Sequence, residues 1–271
     1  MKIFAIRDAG DKDNRDIAYL FYYEKGGSFY IELPADADPW ETPLILSSFL
    51  KRGERTVNSY WSRVWVQQRI VPADRQNIGQ ILRDNGLKEY DECRLLELSE
   101  GRCPQDNCYI APVSEAELPA EFVMRFGRKV EDVIPLAGKN LLVFFRDGSV
   151  KKCSLYEMLG EDRTFAPILN SDDHFNRVRL QPGGHGACWG ESLNIPYETL
   201  YAKGETVPLS ADDFISFVEH RVINTAEVMN MLNCTRQNID DLVRREKLHP
   251  IKQSAKNRLF LRSEVEERMP R

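Results

Sequence analysis

The chain has 271 residues, 42% of them apolar, a length ordinary for two or three domains and too great for one small core. No apolar run approaches the roughly 18 residues of a membrane span, and the opening "MKIFAIRDAGDKDNRD" turns polar too early for a signal peptide, so the expected location is cytoplasmic and off the membrane. The net charge of −5 is unevenly spread: residues 221–271 carry 11 Lys/Arg against 7 Asp/Glu, a net of +4, while residues 1–220 carry 26 against 35, a net of −9. An anionic partner would therefore meet the C-terminal fifth.

In chain order, residues 1–115 read as a small sheet followed by helices. "DIAYLFYYEKGGSFYIEL" is two aromatic and β-branched runs joined by a Gly-Gly turn, a hairpin pattern, and "KIFAIRD" adds a third strand. "DPWETPLILSSFLKRG" predicts a helix opening at Asp-Pro and closing at Gly53. "NSYWSRVWVQQRI" predicts a second helix capped by Asn58, and "PADRQNIGQILRDNG" a third between Pro72 and Gly86. Tyr60, Trp61 and Trp65 are helically spaced, which favours core over a binding surface. "PVSEAELPAEF", about 112–122, is rich in Pro and Glu and reads as a linker or domain edge.

Residues 123–210 begin a second α+β segment. "KNLLVFFRDGSVKKCSL" is a strand, an Arg-Asp-Gly turn and a strand; "SLYEMLG" is a short helix ended by Gly160; two more strands flank "QPGGHG". The succession "VFFRDGSVKKCSLYEML", "FAPILNSDDHFNRVRL" and "WGESLNIPYETLY", with Phe145, Asp147, Gly148, Leu155, Phe175, Trp189 and Leu200 in order, resembles domain-of-unknown-function family 2442. The resemblance implies a compact α+β fold and no established chemistry. It also implies a genomic context, since members often stand beside or are fused to DNA-binding helix-turn-helix domains.

Residues 221–271 contain two helix starts close together. Thr225 is placed to cap a helix to about Leu232, and Thr235 a second from Arg236 to about Lys247, with only Asn233 and Cys234 between. Ala226, Val228, Met229 and Leu232 form the expected inner face of the first, and Ile239, Leu242 and Val243 that of the second. At 100° per residue Gln237, Asp241 and Arg244 then lie opposite that face, Arg236, Asp240 and Lys247 on one flank, Asn238 and Arg245 on the other. Asp240 and Asp241 would repel phosphate unless neutralised by Arg244 and Arg245, each four residues on. "LHPIKQ", "SAKN" and "RLFL" predict a hairpin carrying Lys252, Lys256 and Arg258, and Ser263 a cap for a last helix. This stretch resembles the excisionase-like and MerR-type winged helix-turn-helix families, through Thr225-Ala226-Glu227-Val228, Thr235 to Lys247, and Arg258-Leu259-Phe260 with Ser263-Glu264-Val265.

The second resemblance implies double-stranded DNA as partner. On it, Thr235, Arg236, Gln237 and Asn238 stand at the start of the recognition helix, nearest the bases. Arg244, Arg245 and Lys247 meet phosphates, and Lys252, Lys256 and Arg258 contact the backbone or minor groove from the wing. One such module buries only about 600–1,000 Å², which argues for a homodimer on a roughly palindromic site. Residues 1–210 are left for a protein partner, a ligand or another copy of the chain. The alternative is a solvated, ion-paired helix face that docks onto protein.

Catalytic and metal signatures are thin. Six cysteines, at 93, 103, 108, 153, 188 and 234, are scattered and expected as free thiols. "CPQDNC" lacks the second Cys or His pair that a metal knuckle needs and reads as a turn. His185 and Cys188, three apart on a strand, point to opposite faces, and His174 reads as a polar loop residue. Neither "GGHG" nor "EKGG" has phosphate-loop spacing, and there is no HExxH, GxSxG or kinase motif. Asp172-Asp173 and Asp212-Asp213 precede apolar runs and read as helix caps. The expectation is a multidomain α+β protein, not an enzyme, with no cofactor and no metal.

Overall fold

A computed structural model describes residues 1–160, 162–190, 193–254, 257–266 and 268–269. It mixes helices with antiparallel sheets, an α+β protein. By contact density the chain divides into two units: Met1–Lys129 with Leu180–His185, and Val130–Arg179 with Gly186–Arg271.

The first unit is built on β1 (Lys2–Asp8), β2 (Asp16–Tyr23), β3 (Ser28–Glu32), β4 (Thr56–Val57) and β5 (Cys108–Pro112), in the order β4-β3-β2-β1-β5. The expected β2–β3 hairpin forms, with Gly27 at φ 56° closing its turn, and β1 pairs with β2. Its helices are α1 (Leu44–Lys51), α2 (Ser59–Gln67), α3 (Ile78–Asp84), α4 (Glu92–Leu98) and α5 (Ala120–Gly127). Side chains alternate along the strands, and both faces are apolar. Phe4, Ile6, Leu20 and Ile31 join the core with Phe49 of α1, Trp65 of α2 and Leu96 of α4. Ile3, Ala5, Tyr19 and Phe21 pack instead with Phe122 of α5.

That second packing corrects the expected linker. Ser114 and Glu117 form a capping box, Pro119 precedes α5, and Phe122 is fully buried. Pro and Glu mark a helix start here, because the following apolar face has a sheet to cover. Helix α1 begins at Leu44, six residues after Asp38, since the Asp38 side chain accepts from Trp40 N in a local turn instead. Asn58 caps α2 as expected, accepting from Trp61 N at 3.1 Å. The aromatics divide: Trp65 is buried with Ser62 and Val66, one helical stripe, whereas Tyr60 and Trp61 are 69% and 42% exposed.

Inside this unit lies a buried ionic cluster. Glu32 Oε2 accepts from Arg125 Nη2 at 2.6 Å and from Thr56 Oγ1 at 2.9 Å. Glu32 Oε1 stands 3.4 Å from Lys129 Nζ and 3.7 Å from His185 Nδ1. Lys129 Nζ lies 3.1 Å from His185 Nε2 and 3.8 Å from the Phe126 ring centre. The His185 ring stacks on Tyr30 at 3.6 Å. Glu32, Lys129 and His185 are all at most 2% exposed. The segment bearing His185 comes close because Gly183, at φ 69°, has no Cβ to strike the Tyr23 ring.

The second unit opens with β6 (Val130–Leu136), β7 (Asn140–Phe145) and β8 (Val150–Ser154), followed by α6 (Leu155–Leu159), α7 (Ala166–Leu169) and α8 (Asp172–Phe175). Next come β9 (Arg179–Leu180), β10 (Gly186–Trp189), β11 (Leu193–Pro196), α9 (Tyr197–Lys203), β12 (Glu205–Thr206) and α10 (Ala211–Arg221). One sheet runs β12-β8-β7-β6, and β10 pairs with β11. Gly148, at φ 82°, turns the β7–β8 hairpin, and Tyr201 donates to Asp147 Oδ2 at 2.9 Å. Phe145, Leu155, Phe175, Trp189 and Leu200 share one core, in which Trp189 Nε1 donates to the Phe175 carbonyl at 2.9 Å. The acidic pairs occupy first helical turns, but the caps are the serines before them: Ser171 for α8 and Ser210 for α10. His174 is exposed at the end of α8.

Burial sorts the thiols. It pushes Cys93 and Cys108 up to about 12 and Cys153 up to about 11, leaving them protonated and inert. The Cys103–Cys108 turn is tied by Asp106, which pairs with the buried guanidinium of Arg69 and accepts from Cys108 N at 3.0 Å.

Candidate nucleic-acid interface

The basic C-terminal stretch has its own core. It comprises β13 (Val222–Asn224), α11 (Thr225–Leu232), α12 (Arg236–Arg244), β14 (Lys252–Gln253), β15 (Arg258–Leu261) and α13 (Arg262–Glu266). Ile223, Val228, Ile239, Leu248, Phe260 and Val265 are buried together, with Met229, Leu232, Leu242 and Val243 packed around them. The expected inner faces form except at Ala226, which is exposed.

The cap of α11 is Asn224, one residue before the expected Thr225. Its side chain accepts from Ala226 N at 2.8 Å and Glu227 N at 3.1 Å, and Glu227 accepts from Asn224 N at 2.7 Å. This reciprocal box satisfies more amide donors than a lone threonine would. Helix α11 ends at Asn233, in the left-handed region at φ 47°. Thr235 then caps α12, accepting from Asn238 N at 3.4 Å. The turn between the helices is therefore three residues, Asn233 to Thr235.

Helix α12 stops at Arg244, not at Lys247. Glu246 takes φ 54° and Lys247 N bonds back to the Leu242 carbonyl at 2.8 Å, so Lys247 sits in the exit turn. Arg236, Gln237 and Asn238 are exposed in the first turn, and Arg244, Arg245 and Lys247 are exposed at the far end.

A small sheet stands beside the helices in the order β13-β15-β14, with Ile223 opposite Phe260 and Lys252 opposite Leu259. Strand β13 lies outside the expected elements, although "RVIN" has the β-branched composition of a strand. Lys252 is exposed on the outer strand and Arg258 half-buried on the central one. Lys256 lies outside the described residues. Ser263 falls inside α13, which starts at Arg262, so it is not that helix's cap.

The expected four-residue pairing forms between Asp241 and Arg245 but not between Asp240 and Arg244. Asp241 takes both arginines, Arg244 by a close contact and Arg245 Nε at 2.8 Å. Asp240 pairs instead with Arg258, 18 residues away on β15. That link joins α12 to the sheet, and Arg244, Arg245 and Arg258 among the candidate contact residues each carry an acidic partner. Nothing local in the sequence signals the Asp240–Arg258 pair, because tertiary packing alone brings the two together.

Among the described residues no helix is long and apolar enough to cross a membrane. Comparison with protein-family models, with curated proteins and with solved structures finds no match.

Proposed function

We propose that residues 221–271 form a winged helix-turn-helix that binds double-stranded DNA with sequence preference, and that the chain is a transcriptional regulator or an antitoxin-like autoregulator rather than an enzyme. The observation that carries this reading is α12: it buries Ile239 on one side and exposes Arg236, Gln237 and Asn238 together at its capped first turn. Side chains of those types read base edges, and an exposed helix N-terminus suits insertion into a major groove. Lys247 and Lys252 flank the helix as phosphate contacts, and the segment's net charge of +4 favours the same partner. Residues 1–115, net acidic, and 123–210, balanced in charge, form further α+β domains that bind a partner or a second copy, and a dimer supplies the second half-site.

The rival reading, docking onto protein, draws on the acidic partners of Arg244, Arg245 and Arg258. Salt separates the two. Fluorescence anisotropy with a labelled duplex from the upstream region of the protein's own gene, beside a random duplex, is expected to show binding that falls steeply with salt. The log–log slope is about −0.9 per phosphate neutralised. Arg236→Ala with Arg244→Ala is expected to abolish it at moderate salt. Flat titrations at low salt would reject DNA as the partner.

A further inference from the structure

Helix α10 is amphipathic, and most of its apolar stripe is exposed. None of the eleven residues of Ala211–Arg221 is buried, and Ile215, Phe217 and Val218 are 56, 52 and 54% exposed. A helix of this length is marginal in water on propensity alone and is ordinarily held by packing its apolar stripe. The Ser210–Asp213 capping box secures only its first turn.

One side of that stripe faces a groove of about 460 Å³, with Ile134 of β6 and Phe144 of β7 opposite Phe214, Ile215 and Val218 of α10. Phe144 and Phe214 meet edge to face at 5.4 Å. Ile134 is itself 39% exposed, so the apolar surface continues from the helix onto the sheet. The charged residues that line the groove, Glu131, Asp132 and Glu219, are all acidic.

We propose that this groove is a docking site for a basic amphipathic helix of a partner protein. A helix laid along α10, which is about 16 Å long at 1.5 Å per residue, would set apolar anchors three and four residues apart against Ile134, Phe144, Ile215 and Val218. Lys and Arg beside those anchors would meet the three carboxylates. Charge argues against a second copy of this chain as occupant. A two-fold interface sets a patch against itself, which here brings carboxylate against carboxylate. The proposal stands independently of DNA binding.

The test uses the full chain and two fluorescein-labelled 16-residue synthetic peptides. Both carry Leu at helical anchor spacing; one has Lys and Arg elsewhere, the other Glu. The basic peptide is expected to bind and the acidic one not. Ile215→Ser with Val218→Ser, both exposed positions, is expected to weaken binding at least tenfold with an unchanged urea midpoint. Glu131→Gln with Glu219→Gln is expected to weaken it several-fold and to flatten its salt dependence. Absence of binding, equal binding of both peptides, or binding that both variants leave intact would overturn the proposal. So would sedimentation showing a dimer that the Ile215→Ser, Val218→Ser variant dissociates, since the occupant would then be a second copy.

Discussion

Two groups of ion pairs, one in each unit, use the same chemistry at opposite depths. Around Glu32 the carboxylate, Lys129 and His185 are withdrawn from water, and Arg125, Thr56, Tyr23 and Tyr30 complete the shell. On α12, Asp240 and Asp241 meet Arg258, Arg244 and Arg245 at the surface. Burial makes the first group obligatory, because a charge left there without its partner has no water to turn to. Exposure makes the second group exchangeable: each arginine can leave its aspartate for water or a phosphate at small cost. The buried group is suited to hold a fold and the exposed one to meet a ligand.

The largest test of that contrast is Glu32→Gln. It leaves Arg125 and Lys129 facing a neutral amide, and a loss of about 3–5 kcal/mol is expected, the cost typical of breaking a buried pair. Urea unfolding followed by tryptophan fluorescence reads it, and a loss below 1 kcal/mol would show the cluster to be wetter than its burial indicates. Gly183→Ala comes next. The added Cβ would strike the Tyr23 ring at a positive φ, and about 1–3 kcal/mol is expected in the same assay.

Asp240→Asn with Asp241→Asn probes the exposed group. Removing two negative charges from α12 and releasing three arginines should tighten DNA about tenfold, near 1.4 kcal/mol, and steepen the salt slope. Unchanged or weaker affinity would show that the aspartates position the arginines rather than mask them. The smallest effect is expected for Arg258→Ala on stability, at most about 1 kcal/mol, as for other surface pairs. A larger loss would mean that the link to Asp240 helps hold the sheet on α12.

Legibility followed the range of the interactions. The β2–β3 and β7–β8 hairpins, the Asn58 and Thr235 caps and the paired helices α11 and α12 were all readable, because turn glycines, cap side chains and 3.6-residue periodicity act within a few residues. The errors were local competitions decided by a neighbour: Asn224 displaces Thr225 as cap, and Asp38 makes a turn rather than opening α1. The stretch Pro112–Leu118 resembles a linker because its polarity outweighs the single Phe122 that α5 buries. At the candidate interface the phase of Ile239, Leu242 and Val243 puts Gln237 outward and Arg236 and Asn238 on the flanks, and all three are exposed. The partners of Arg258 and Asp240 did not.

The sequence by itself determined the α+β class, the charge asymmetry, most helix and strand positions, and the outward phase of α12. Each of these depends on composition or on residues within about one helical turn. Only the tertiary structure decided that Glu32, Lys129 and His185 share a buried site, that Trp65 is core while Tyr60 and Trp61 are surface, and that Asp240 answers to Arg258. Those outcomes join residues up to 153 positions apart in the chain. Their energies come from desolvation and packing, which no local pattern encodes.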